Sequence, residues 1–138
     1  MELRLVTERD KNFVMSIDRH IEEAGFANRV YTKSGFVLWE EGEPVGIMSH
    51  CVLWDNLPFL NLIFIKEECR GRGFGRQAML SWENEMKKRG YKMVLLSTQA
   101  DETAQHFYRK LGYVDCGGLV FSGTPADQPM EVFFRKIL

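Results

Sequence analysis

The sequence has no apolar run approaching the roughly 20 residues needed to cross a bilayer as a helix, so a helical membrane protein is excluded. Nor does it open on an apolar leader: Met1-Glu2-Leu3-Arg4-Leu5-Val6 alternates charged and apolar side chains, and a cytoplasmic location is expected. Cysteine is scarce. Cys51, Cys69 and Cys116 are odd in number, widely spaced and without a CxxC pair. That usage suits free thiols in a reducing compartment and argues against a disulfide frame or a zinc site, so no metal is expected. An excess of one charge is missing too. With 18 Lys and Arg against 19 Asp and Glu, the formal net charge of −1 gives no field to draw nucleic acid. Neither nucleic acid nor a membrane is expected as a partner, whereas a local arginine cluster suits a phosphorylated small molecule.

What is present reads as one globular domain over residues 1–138. A hydrophobic share of 45% with 27% charged residues argues against disorder, and 138 residues suffice to close a core without staples. Residues 2–6 predict a strand, and Thr7 caps a helix whose apolar positions Phe13, Val14, Ile17 and Ile21 recur at helical spacing and which ends near Gly25. A polar stretch follows. Phe36 to Trp39 and Val45 to Trp54 flank Glu41-Gly42-Glu43, the pattern of a β-hairpin. Leu57 to Lys66 is nearly all apolar, as expected of a central strand covered on both faces.

The glycine-rich segment Gly71 to Gly75 then leads into a helix over Arg76 to Lys88. On it Ala78, Trp82 and Met86 share a face with Phe74 and Met79, and Gly90 ends it. Met93 to Leu96 predicts a buried strand. Asp101 is expected to cap a further helix lined by Ala104, Phe107, Tyr108 and Leu111, with Gly112 at its left-handed end. Tyr113 to Leu119 and Glu131 to Ile137 read as strands joined by the polar loop 122–129. The order β-α-β-β-β-α-β-α-β-β predicts a mixed α/β sheet with helices on its faces, which binds ligands beyond the carboxyl ends of its central strands.

The strongest chemical signal is the passage from an apolar strand through Arg70-Gly71-Arg72-Gly73-Phe74-Gly75-Arg76 into an amphipathic helix. Glycines let backbone amides turn inward, and a helix start adds unpaired N–H groups and a positive dipole end. A diphosphate fits there, with Arg72 and Arg76 adding charge. The plain structural reading is a tight strand-to-helix turn. A Walker A loop would end in Gly-Lys-Ser or Gly-Lys-Thr where this one ends Gly75-Arg76-Gln77, which disfavours ATP hydrolysis. The glycines fall as GxGxG rather than GxGxxG after a hairpin-fed strand, which disfavours a dinucleotide fold.

Arg70-x-x-Gly73-x-Gly75 resembles motif A of the GNAT-type N-acetyltransferase superfamily. Ala104-Gln105-His106-Phe107-Tyr108-Arg109-Lys110-Leu111-Gly112-Tyr113 resembles that family's A-x-x-F-Y-x-x-x-G-[FY] signature. The likeness covers essentially the whole chain in element order. It implies a mostly antiparallel sheet of about six to seven strands, helices on both faces, and a V-shaped cleft between the fourth and fifth strands. It implies acetyl-CoA as co-substrate, with pantetheine along the backbone of Ile63, Phe64 and Ile65 and the diphosphate on the amides from Gly71 to Arg76. Tyr108 matches the tyrosine that protonates the departing thiolate, and direct transfer to an amine in a ternary complex follows. The acceptor is expected to be a small-molecule, peptide or protein amine, and a homodimer through the C-terminal strands is expected by analogy. Where the family often carries Asn, this chain has Asp101, a carboxylate that would repel phosphate.

An acyl transferase must also stabilise a developing oxyanion, for which a backbone N–H near Ile63 or Phe64 is suited. The base that frees the amine is not evident. Asn61 can orient water but not accept a proton, and a lone strand histidine such as His50 is more often simply hydrogen-bonded. His106 points about 100° away from its neighbours on the helix. Glu22 and Glu23 read as a solvated face, and Cys69 has no histidine beside it. Against catalysis stands a sensor that binds acyl-CoA without turnover. A nucleotide phosphotransferase is a third reading, weakened by the missing Lys-Ser/Thr.

Overall fold

The structure, a computed structural model, describes residues 1–138. Seven strands lie in the order β1-β2-β3-β4-β5-β7-β6, with four α-helices between them. The sheet is mostly antiparallel. β4 (Leu57–Ile65), central in the order, pairs in parallel with β5 (Met93–Gln99) at Phe59 and Leu95. No helix is long and apolar enough to cross a membrane. The chain falls into two compact units, residues 1–51 with 60–85 and residues 52–59 with 86–138.

The first unit holds β1 (Glu2–Leu5), α1 (Lys11–Ile17), α2 (Glu23–Tyr31), β2 (Gly35–Glu40), most of β3 (Glu43–Leu53), the later part of β4 and most of α3 (Phe74–Lys88). Val6, Val14, Phe26, Val37 and Ile47 form a buried cluster, with Phe13, Ile17 and Ile21 packed against it. Thr7 does open the first helical turn, but the carboxylate of Asp10 makes the cap, accepting both the Thr7 N–H (2.8 Å) and its hydroxyl (2.9 Å).

The single helix expected up to Gly25 is in fact two. At Asp18 the backbone leaves the helical region (φ −87°, ψ 89°), and its carboxylate turns to outside donors, the His20 N–H (3.2 Å) and the Arg29 guanidinium (2.9 Å). Gly25 lies inside α2, where the side chain of Ile21 comes within 3.1 Å of the position a Cβ would take. The sequence shows no helical period over α2, because Phe26 is its only fully buried side chain.

The β2–β3 hairpin turns on Glu41 (φ 49°) and Gly42 (φ 84°), two left-handed residues as a type I′ turn requires. Further along β3, Gly46 faces the backbone of β4. A Cβ built there would run into the Phe64 carbonyl oxygen and stand 3.2 Å from the Ile65 Cα, while the neighbouring Val45 carbonyl accepts the Lys66 N–H (2.9 Å). Only glycine lets the two strands approach this closely.

In the second unit, β5 pairs with β7 (Glu131–Ile137) over seven positions, from Met93 opposite Ile137 to Gln99 opposite Glu131. β6 (Val114–Leu119) flanks β7 with a bulge between Asp115 and Gly117, and all six of its residues are exposed. One face carries Val94, Leu96 and Phe134, fully buried. The helix α4 (Ala104–Lys110) packs over this face, with the Arg109 guanidinium 5.3 Å from the Phe134 ring centre. The helix starts at Thr103, so Asp101 is not its cap. The Gln105 side-chain amide instead ties the preceding turn to the helix, donating to the carbonyls of Ala100 (3.0 Å) and Glu102 (2.9 Å). Gly112 (φ 90°) ends α4 and Gly90 (φ 95°) ends α3. In each case the following amide reaches back five residues, Tyr113 to Tyr108 and Tyr91 to Met86, both at 3.1 Å.

Candidate active site

In the first unit, β4 runs through Ile63, Phe64 and Ile65, all half-buried, with Asn61 exposed on the same strand. The apolar run is therefore less sealed than its composition predicts. A short 3₁₀ turn, Glu67–Cys69, follows and buries Cys69. Arg70 does not reach outward. Its Nε donates to the Ile65 carbonyl (3.0 Å) and its guanidinium lies 5.2 Å from the Phe64 ring centre, so it ties the end of β4 to the loop. Arg72 lies over the Phe74 ring (4.7 Å), and Arg76 is exposed.

The backbone between them is rich in unpaired donors. The Arg70 N–H donates to Glu67 (3.1 Å), and the next amide with a carbonyl partner is Gln77, which donates to Gly73 (3.1 Å). The six amides of residues 71–76 between these two donate to no backbone carbonyl. Gly71 (φ 73°) and Gly73 (φ 79°) hold left-handed conformations with open space where a Cβ would stand. Glycine is needed here for its dihedral freedom rather than for lack of room.

α3 holds this loop rigidly. Phe74, Ala78, Met79, Trp82 and Met86 are all at most 6% exposed, the stripe expected from their spacing. A donor-rich loop at the head of a 15-residue helix, pinned by a buried aromatic stripe, offers an anion a pre-organised nest.

Tyr108, on α4 of the second unit, is 8% exposed and meets Phe107 and Tyr113 edge-on, at ring-centre separations of 5.2 and 5.9 Å. Burial, and secondarily the charge of Glu102, push its phenol up to about 12. It therefore holds its proton throughout the neutral range and can only donate it.

The other candidates separate cleanly. His50 is buried. Its Nδ1 faces the Trp82 indole N–H (3.4 Å) and its ring stacks on Phe36 (5.9 Å), an arrangement that makes it part of the core. His106 is exposed on α4. Glu23 pairs with Lys11 (2.9 Å) on the surface, and Glu22 is exposed at the start of α2. Asn61 accepts from the Cys51 thiol across β3 and β4 (3.5 Å). Sequence reading missed the Trp82–His50 and Cys51–Asn61 contacts, because residues 32 and 10 positions apart are joined only by strand and helix packing.

Solved structures share this fold. A ribosomal-protein-alanine N-acetyltransferase from Brucella melitensis is 20% identical, with 100% of each chain covered and a TM-score of 0.80. A spermidine/spermine N-acetyltransferase from Vibrio cholerae, in complex with manganese ions, is 16% identical over 99% of this chain and 91% of its own, at 0.79. A GNAT family acetyltransferase from Elizabethkingia anophelis with acetyl-CoA bound is 15% identical over 99% and 97%, at 0.76. No curated protein matches at the level of sequence. Residues 5–113, which include the glycine loop and the Tyr108 helix, match the family described as acetyltransferase (GNAT), and the protein belongs to that family.

Proposed function

We propose that the protein transfers an acetyl group from acetyl-CoA to a primary amine by direct attack in a ternary complex. The observation that carries this reading is the run of amides from Gly71 to Arg76 with no carbonyl partner. Six donors at a helix start suit a diphosphate far better than they suit a neutral ligand. Ile63, Phe64 and Ile65 receive the pantetheine arm along their backbone, which leads from the β4 strand to that loop. Gly71, Arg72, Gly73, Phe74, Gly75 and Arg76 hold the diphosphate, and Arg70 braces the loop from behind.

The amine nitrogen attacks the thioester carbonyl, a carbon–nitrogen bond forms, and the carbon–sulfur bond breaks with its electron pair on sulfur. Tyr108 gives its hydroxyl proton to that sulfur and is reprotonated from solvent, while the amine's extra proton leaves through water. A phenol raised by burial is a weak acid in the ground state, and it responds to the strong base that appears only as the bond breaks.

The test is calorimetric titration with CoA, followed by thiol release from acetyl-CoA over a panel of amines. Micromolar CoA binding with amine-dependent thiol release, suppressed in Tyr108→Phe, is expected. CoA binding without turnover on any amine would instead make the protein a sensor, and absence of CoA binding would end the reading.

A further inference from the structure

β4 carries a single polar side chain. Every residue from Leu57 to Ile65 is apolar except Asn61, and Asn61 is also the strand's one exposed residue. Asparagine is depleted from strands, where its carboxamide competes for backbone partners. Here a contact with the neighbouring strand fixes it. The Cys51 thiol on β3 donates to Asn61 Oδ1 (3.5 Å), a weak bond that sets which way the amide faces. The two polar atoms of a carboxamide diverge, so with Oδ1 turned toward β3 the Nδ2 group is directed away from it. That nitrogen donates to no group of the chain. It is an oriented donor with nothing to bond.

Its place on the strand says what it meets. Cys51, Asn61, the Ile63 to Ile65 stretch and the glycine loop all belong to the first unit. In the acetyltransferase reading above, on which this inference rests, the diphosphate lies on the amides that follow β4 and the pantetheine runs back along Ile65, Phe64 and Ile63. Continuing in that direction, the coenzyme ends in its thioester and the strand comes to Asn61, two residues before Ile63 and about 7 Å from it. A thioester offers one good acceptor, its carbonyl oxygen, and that oxygen becomes anionic when the amine attacks. A neutral N–H donor held in place strengthens its bond as the charge develops and gives up no proton. The backbone N–H near Ile63 or Phe64 suits the oxyanion as a first donor, and the Asn61 amide suits it as a second.

We propose that Asn61 is a catalytic residue: its carboxamide N–H donates to the thioester carbonyl oxygen and stabilises the oxyanion formed on attack. Cys51 is a positioning residue that holds the amide in the donating orientation. Neither side chain exchanges a proton with the substrate, and the thiolate still takes its proton from Tyr108.

The experiment measures thiol release from acetyl-CoA, with the amine that wild type turns over fastest, in wild type, Asn61→Ala, Asn61→Asp, Cys51→Ala and Cys51→Ser. Calorimetric CoA titrations and thermal melts on each variant report an intact loop and fold. Asn61→Ala is expected to lower kcat about 10²- to 10³-fold, with acceptor KM and CoA affinity unchanged. A carboxylate cannot donate, so Asn61→Asp should lose as much at neutral pH. Its kcat relative to wild type should then rise as pH falls from about 8 to about 5, because a growing fraction of the carboxyl is protonated and regains a donor. Cys51→Ala, which frees the amide to turn, should lower kcat by a smaller factor, and Cys51→Ser, which keeps a hydroxyl donor, should restore it. An unchanged kcat in Asn61→Ala, or a loss confined to KM, overturns the inference while leaving the acetyltransferase reading intact. Absence of amine-dependent thiol release in wild type overturns both. If Asn61→Ala loses CoA binding through misfolding, the pH series of Asn61→Asp decides, and a ratio that stays flat overturns the role.

Discussion

Gly73 and Gly42 allow the anion nest to be tested against its own structural cost. Both hold left-handed backbones, φ 79° and 84°, and neither has an atom within 4 Å of the position a Cβ would take. Alanine at either site meets no clash and bears only the penalty of a left-handed conformation, about 1 to 2 kcal/mol. For a chain of this length the entropy of unfolding is about 0.3 kcal/mol per kelvin, so each variant should melt about 3 to 7 °C below wild type. Only Gly73 sits among the free amides. In Gly73→Ala the loop relaxes its strain by turning one N–H group away from the diphosphate. Charge-assisted bonds of this kind are worth about 1.5 to 3 kcal/mol each, so CoA should bind about 10- to 100-fold more weakly. Gly42→Ala should bind it as wild type does. Differential scanning calorimetry and isothermal titration of the two variants give the four numbers required. Equal melting shifts with equal, unchanged CoA affinities would refute the assignment of the diphosphate to this loop.

Tyr108→Phe should lower kcat about 10²- to 10⁴-fold, measured by thiol release, with CoA affinity unchanged by calorimetry. The same side chain makes an alkaline signature. Its folded-state value of about 12 lies above the ordinary tyrosine value, so the stability it supplies is complete below about pH 10 and is lost as pH rises through 12. That contribution is roughly 2 to 3 kcal/mol, and Tyr108→Phe should therefore show a shallower fall in stability over that range in denaturant titrations followed by circular dichroism. Trp82→Ala, at a position with no exposed surface, should cost about 3 to 5 kcal/mol. Trp82→Phe, which keeps most of the volume and loses the donor facing His50 Nδ1, should cost about 1 to 2 kcal/mol by chemical denaturation.

The legible parts of the fold were those whose physics is local in sequence. The apolar stripe of α3, the Glu41-Gly42 turn and the glycine ends of α3 and α4 each follow from residues within a few positions of one another, and each appears where its spacing predicts. Two motifs in register pointed to the family that residues 5–113 match. What escaped was decided by packing at long range. The break at Asp18 depends on Arg29, 11 residues later, and α2 has too little buried surface to print a period. Asp101 reads as a cap because an acidic residue before a helix usually is one, but the helix begins two residues later, after Thr103. Arg70 belongs to the loop motif, and only in the fold is its guanidinium directed to the Ile65 carbonyl and the Phe64 ring. The Ser97–Glu131 contact carried no local signal, since it forms only when β5 and β7 pair.

The close approach at Gly46 makes the geometry of β4 hostage to a single hydrogen atom on its neighbour. A methyl group there cannot be absorbed by rotating a side chain, because what it meets is the carbonyl oxygen of Phe64 and the α-carbon of Ile65, both main-chain atoms. Any residue larger than glycine must displace β4 bodily at the stretch that leads into the glycine loop. Position 46 is thus a mechanical stop for that strand, coupled through the backbone to the glycine loop that follows it.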